Sequence, residues 1–254
     1  MSSQRLPAWL ERIPPVTRNL LIINILIWLI EFVSGSFGVR LMDILGLHFW
    51  GSDKFNPVQL LTYMFLHDRD TILHLGFNMF TLWMFGRILE NVWGAKRFFM
   101  FYMVCGIGAA LVQEGVWQLT WMHDYVSGIA RLNGMSTGAM AEAVASAPGY
   151  FASGMAQLKN AMLTVGASGA IFGLLLGFAF VFPNLPMYLF FIPVPIKAKY
   201  MVIGYGVLEL LLGVSGSVSS VAHFAHLGGM IFGLAMLLYW RHKGTLNGNR
   251  GFFY

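Results

Sequence analysis

Long apolar stretches separated by shorter polar ones set the plan of this chain. Six of them approach 20 residues, the length of helix that crosses a hydrocarbon core roughly 30 Å thick. They run approximately 19–36, 73–91, 98–118, 162–182, 198–214 and 221–240. A further apolar window near 59–66 is short and is cut off by Asp68, Arg69 and Asp70, so it reads as an interfacial piece. The pattern predicts an all-α, polytopic membrane protein. A six-transmembrane-helix bundle occupies 19–240, between an N-terminal tail at 1–18 and a C-terminal tail at 241–254. Two long connections, 37–72 and 119–161, break the regular spacing. The first carries Leu41, Leu45, Phe49, Trp50, Val58 and Leu61, which suits a loop lying partly in the interface. The second is rich in Ala, Gly, Ser and Met, with 141–147 a short helix ended by Pro148 and Gly149. A connection of that length usually marks a functional or mobile element.

Composition agrees with the pattern. Of 254 residues 57% are hydrophobic and 11% charged, against roughly 25% charged in a soluble domain. The single cysteine, Cys105, excludes an intrachain disulfide. The N-terminal tail lacks the short apolar core and cleavage site of a signal peptide, so the first span reads as an uncleaved signal anchor. Lysine and arginine fix the orientation. Eleven of the 16 basic residues fall on one side: Arg5, Arg12, Arg18, Arg87, Lys96, Arg97, Lys197, Lys199, Arg241, Lys243 and Arg250. Both termini are therefore expected in the cytoplasm, with a bacterial cytoplasmic (inner) membrane the expected location. The net charge of +5 then reflects topology and is no sign of nucleic-acid binding.

Against this apolar background a few polar residues stand out. Ser168 falls in Gly166-Ala-Ser168-Gly169 within the fourth span, and His226 in the sixth. Counting residues from the outer ends at 1.5 Å each puts both on the order of 8–10 Å below the outer surface. His74 and Asn78, four residues apart and so on one face of the second span, reach the same layer. Gly169, Gly173 and Gly177 recur along the fourth span, and Gly229 and Gly233 along the sixth. Small residues at that spacing let helices approach closely in lipid, and the missing side chain of Gly169 leaves room beside the serine. A serine needs a base within hydrogen-bond reach to become a nucleophile, and the oxyanion formed on attack needs donors placed in advance.

Gly166-Ala-Ser168-Gly169, His226-x-x-Gly229-x-x-x-Gly233 and His74-x-x-x-Asn78, in this arrangement on the fourth, sixth and second helices, resemble the rhomboid intramembrane serine proteases. The turn from Phe85-Gly86-Arg87 through Glu90 to Gly94, Arg97 and Phe98 also resembles the family, and the match covers about 59–240. The resemblance implies a rhomboid-like six-helix bundle and a serine endopeptidase that cuts transmembrane proteins in or near their spanning segment. Ser168 would be the nucleophile and His226 the general base and later acid. His74, Asn78 and the Ser168 backbone N–H would form the oxyanion hole. The family works with a Ser-His dyad, matching the absence of an obvious carboxylate in this layer. The implied partners are single-pass membrane substrates and lipid, with no cofactor, no metal and no nucleic acid. Three features depart from the family. Pro57-Val58-Gln59 stands where many members carry a tryptophan-arginine pair, the loop between His67 and His74 is longer, and 119–161 is much longer. Phe172 replaces a tyrosine of some relatives, with little effect expected on the reaction.

Other polar residues carry plainer expectations. His223, three residues before His226, is expected to be structural or part of a gate, with a role as the base as its alternative; His67 is expected to be structural. Glu90 reads as an ion pair or loop cap, and Glu31, Glu114 and Glu209 as makers of helix–helix hydrogen bonds. The serine-rich linker 214–220, with the fifth helix, is expected to move to admit substrate. Two other function classes remain beside the protease. One is a catalytically silent rhomboid-like protein that binds transmembrane clients, and the other is a small transporter built on Glu31, Glu114 and Glu209.

Overall fold

The computed structural model describes residues 12–69, 71–189, 192–215 and 222–246. Outside them lie most of the N-terminal tail with Arg5, Asp70, most of the 214–220 linker, and the end of the C-terminal tail with Arg250. The described chain is mostly helical. Its first helix, α1 (Pro15–Gly35), starts with proline in the first turn, where a missing N–H costs nothing. The unpaired amides of that turn are met from another helix: Glu90 accepts from Val16 N at 2.9 Å, Thr17 N at 2.7 Å and Thr17 Oγ1 at 2.8 Å. Glu90 thus has a structural role, capping the start of a helix where an ion pair or loop cap was expected. α1 buries Thr17, Leu20, Asn24 and Glu31 while Leu26, Ile30, Phe32 and Val33 are exposed. Apolar outside and polar inside is the arrangement that lipid, rather than water, selects.

α2 (Ile72–Trp93) contains a π-helical stretch, Leu82–Gly86, and Gly94 at φ 80° lets the chain turn at once into the next helix. That helix, α3 (Ala95–Leu132), has 38 residues and is therefore about 57 Å long, nearly twice the hydrocarbon thickness. Its continuation through 119–132 corrects the reading of the whole 119–161 segment as a loop. α4 (Thr137–Ser146), capped by the Ser136 hydroxyl on Ala139 N, and α5 (Pro148–Ala161) fold back on this extension. Tyr125, Val126 and Ala130 of α3 pack there with Met140 and Val144 in a second small core. The short helix expected at 141–147 thus begins earlier, and Pro148 opens the following helix as well as ending this one.

Before the fourth span the chain is extended. β1 (Leu47–His48) pairs antiparallel with β2 (Leu163–Thr164), and α6 (Ser168–Val181) begins only at Ser168. The expected span at 162–182 is therefore a helix of 14 residues, preceded by a strand and a turn at Gly166, whose φ of 126° ends any helix. β3 (Pro186–Leu189) and β4 (Ile192–Lys197) form a hairpin leading into α7 (Ala198–Val214), and α8 (His223–His242) closes the described fold. Among the described helices α1, α2, α3 and α8 are long and apolar enough to cross a membrane, and α6 is apolar but shorter. The chain is a multi-pass membrane protein.

The centre of the bundle is the junction of α3, α6 and α8, and glycine makes it possible. A Cβ on Gly229 would collide with the carbonyl of Gly169, one on Gly173 would lie 3.0 Å from the Gly229 carbonyl oxygen, and one on Gly233 3.5 Å from Gly173 Cα. This is backbone-to-backbone packing of α6 on α8, as the glycine spacing predicts. Gly169 itself faces Ala109, the Ala225 carbonyl and the Tyr63 hydroxyl. Its missing side chain serves helix approach, which corrects the expectation of open space beside the serine.

Candidate active site

Ser168 is the first residue of α6, so it does not lie six residues down a helix as the span boundaries imply. The segment before it is held in place at several points. Gly166 N donates to the Tyr63 carbonyl at 2.9 Å, and the Tyr63 hydroxyl donates to the Gly106 carbonyl at 2.7 Å. A Cβ on Gly166 would lie 3.1 Å from both Cε1 and Nε2 of His74 and 3.8 Å from Ser168 Oγ. The turn lies between His74 and the serine, at a φ that favours glycine and where an added Cβ would require the His74 ring to give by a few tenths of an ångström.

His226 lies in the first turn of α8, with its Nε2 2.7 Å from Ser168 Oγ. Phe172, one turn beyond Ser168, stacks flat on the imidazole with centroids 4.2 Å apart and planes at 7°. It covers one face of the ring, at a position expected to have little bearing on the reaction. His223 does not take the position at the serine. Its Nδ1 lies 2.6 Å from Oε2 of Glu209 on α7, and Nδ1 of His226 lies 3.0 Å from that same oxygen in an ion-pair contact off the line of an aligned hydrogen bond. A carboxylate is therefore present beside the histidine, contrary to the expectation of none in this layer. The sequence does carry a signal for it: Glu209 lies five residues before the end of the fifth span, and His226 a similar distance into the sixth.

Asn78 is buried one turn below His74, and its Nδ2 has no hydrogen-bond partner among the described residues. A buried amide donor without an acceptor costs stability, a cost it shares with other buried polar atoms of the described residues, both ring nitrogens of His67 among them. The cavity above these residues measures about 420 Å³ and is lined by Ser168, His226, His74, Phe77, Leu163 and Val165, among others. His67 stands edge-on to His74 with centroids 5.2 Å apart, fully buried with both ring nitrogens unpartnered among the described residues. Burial pushes its pKa down to about 3, so it is neutral at physiological pH.

The other glutamates of the transporter reading have structural partners. Glu31 Oε2 accepts from Leu41 N and Glu114 Oε2 from Trp50 N, each at 2.7 Å. Both tie the first loop to a helix, where helix–helix bonds were expected. Gln59, in the place of the family's tryptophan-arginine region, accepts from His48 N at 3.2 Å and donates to the carbonyls of Ile44 and Lys54 at 3.0 Å.

The structure thus brings a half-buried serine within hydrogen-bond reach of a buried histidine, beside a cavity of a multi-pass helical bundle. The model of the rhomboid domain matches residues 54–243; the chain belongs to the rhomboid family, whose members are generally intramembrane serine proteases. It is also similar to rhomboid protein 1, mitochondrial, of Saccharomyces cerevisiae, with 29% identity over 161 residues, 63% of this chain. The match spans 36% of that yeast protein's length.

Proposed function

We propose that the protein is an active intramembrane serine endopeptidase cleaving transmembrane proteins in or near their spanning segment. The observation that carries the reading is the 2.7 Å approach of His226 Nε2 to Ser168 Oγ. In this reading His226 takes the hydroxyl proton as Oγ attacks the scissile carbonyl carbon. The imidazolium then protonates the leaving amine, and a water entering through the cavity hydrolyses the acyl-enzyme with the same histidine as base. The developing oxyanion is met by the Ser168 backbone N–H, which belongs to the unpaired first turn of α6 and carries its positive dipole end. His74 and Asn78 add side-chain donors from α2. No step calls on a metal or cofactor.

The same proposal includes six membrane crossings, with α6 and α7 completing the four longer helices, and both termini on the cytoplasmic side, as the basic residues favour. The deciding experiment labels the detergent-solubilised protein with a fluorophosphonate and compares wild type with Ser168→Ala and His226→Ala. Loss of labelling in both, together with loss of cleavage of a transmembrane reporter, is the expected result. A folded wild type that takes no label overturns the reading and leaves the silent client-binding protein.

A further inference from the structure

We propose that Glu209 is a positioning residue that holds His226 in the tautomer a general base requires. The inference rests on the Ser168–His226 reading above and adds to it a third member supplied by α7.

The chemistry starts from the imidazole. A neutral histidine carries one N–H and one lone pair. To accept the serine proton at Nε2 it must hold its own proton on Nδ1, and nothing in the ring itself enforces that choice. An acceptor at Nδ1 does. Oε2 of Glu209 lies 3.0 Å from His226 Nδ1, while Nε2 faces Ser168 Oγ at 2.7 Å. The two ring nitrogens thus have a carboxylate oxygen close by, though off the line of an aligned hydrogen bond, and a hydroxyl donor. That order makes Nε2 basic once Nδ1–H turns toward Glu209. When Nε2 takes up the proton, the imidazolium stands beside a carboxylate in a buried site, where an opposite charge has most effect.

His223 completes the arrangement. Its Nδ1 holds the same Oε2 at 2.6 Å, fixing the carboxylate from the first residue of α8, while Phe172 covers one face of the His226 ring. Glu209, His223 and His226 could also be read as three ligands of a metal ion, since their donor atoms lie within 4.8 Å of one another. The distances favour hydrogen bonding. Two ligands on one tetrahedral zinc stand about 3.3 Å apart, given bonds of about 2.0–2.1 Å, whereas the carboxylate oxygen and His223 Nδ1 stand at 2.6 Å. A second competing role is that of a simple tether between α7 and α8. Tether and positioning residue differ in what they change: a tether affects the entry of a transmembrane substrate, while a positioning residue affects the reactivity of Ser168 toward any electrophile.

The test uses the full chain in detergent and in liposomes. Ser168→Ala is run first, and its loss of labelling establishes the underlying reading; a wild type that does not label overturns that reading and this one together. Glu209→Gln keeps the size of the side chain and removes its charge. Its fluorophosphonate labelling rate is expected to fall roughly 30- to 300-fold, with kcat on a transmembrane reporter falling by the same factor and KM staying within about threefold. Labelling within threefold of wild type, whether or not reporter cleavage changes, overturns the proposal and leaves the protease reading standing. A second measurement does not depend on rates. Nitrogen-15 shifts of selectively labelled histidine in the wild type, with the His226 signals identified by their loss in His226→Ala, report the tautomer of His226. A proton on Nδ1 is expected, and a proton on Nε2 of the neutral ring overturns the proposal.

Discussion

Replacing Gly229 by alanine tests the claim that backbone contact between α6 and α8 sets the distance between serine and histidine. The added methyl would collide with the Gly169 carbonyl. That carbonyl is main chain and cannot rotate aside, so the helices must part by on the order of 1 Å, the scale of misplacement that costs about 100-fold in rate. Gly169 directly follows Ser168 and Gly229 lies three residues after His226, so the separation reaches the reacting pair almost undiminished. The 2.7 Å contact of Ser168 Oγ with His226 Nε2 then exceeds hydrogen-bond length. Overpacking adds a stability loss of about 1–3 kcal/mol. The assay is the fluorophosphonate labelling rate beside thermal unfolding in the same detergent. Gly115→Ala on α3 is the control, since a Cβ there meets nothing within 4 Å and the substitution should stabilise by about 0.5–1 kcal/mol. Labelling of Gly229→Ala within threefold of wild type would refute the reasoning.

Asn78→Ala is expected to lower kcat on a transmembrane reporter about 100-fold or more, as the loss of an oxyanion donor does; a rate within twofold of wild type removes Asn78 from that role. Phe172→Leu keeps an apolar side chain and loses the stack on His226, worth about 0.5–1.5 kcal/mol, so labelling should slow about 3- to 10-fold without loss of thermal stability. His67 gives a pH dependence. Its folded pKa, about 3, lies below the unfolded value of 6.5, so below pH 6.5 the unfolded chain takes up the proton first. The His67 contribution is complete above that pH and is lost on acidification toward pH 3, at about 1.4 kcal/mol per pH unit. Unfolding measured between pH 6.5 and 4 should show a shallower slope for His67→Leu, and parallel curves would refute the burial argument.

Lipid makes helices legible because a crossing demands a minimum apolar length, and α1, α2 and α8 appear where the runs predict. The same rule hides the outer half of α3, since a helix leaving the membrane turns polar and then reads as a loop. It also hides the start of α6. Residues 162–167 are apolar enough for either strand or helix, and Gly166 alone in that stretch signals the break. The pairing of Ser168 with His226 is readable because both lie near the outer ends of helices with matching glycine rows. Glu209 is harder to see because the buried carboxylates share no pattern from helix to helix, and only depth relates this one to His226. Phe172 reads as a neutral replacement because its meaning depends on which way the His226 ring faces, and only packing determines that.

The buried glutamates divide by the nature of their partners. Glu90, Glu31 and Glu114 each accept main-chain amides, two from the first turn of α1 and one each from residues 41 and 50 of the first loop. Amides at loops and helix starts have no helical acceptor, and a carboxylate in a low-dielectric site needs hydrogen bonds to offset its desolvation. The two needs answer each other. The first loop is thereby pinned to α1 and α3, and through the pairing of Leu47 with Thr164 to the segment that ends at Ser168. Main-chain amides keep their protons whatever happens in the cavity, so these three carboxylates form a fixed frame. Glu209 instead faces two imidazoles, and the proton count of one of them, His226, changes in each proposed catalytic cycle. A carboxylate in that position has a charge balance that alternates with the state of the base. The frame around the serine is therefore static on the α1, α3 and first-loop side. On the α7 side it is tied to the protonation of the histidine that faces the serine.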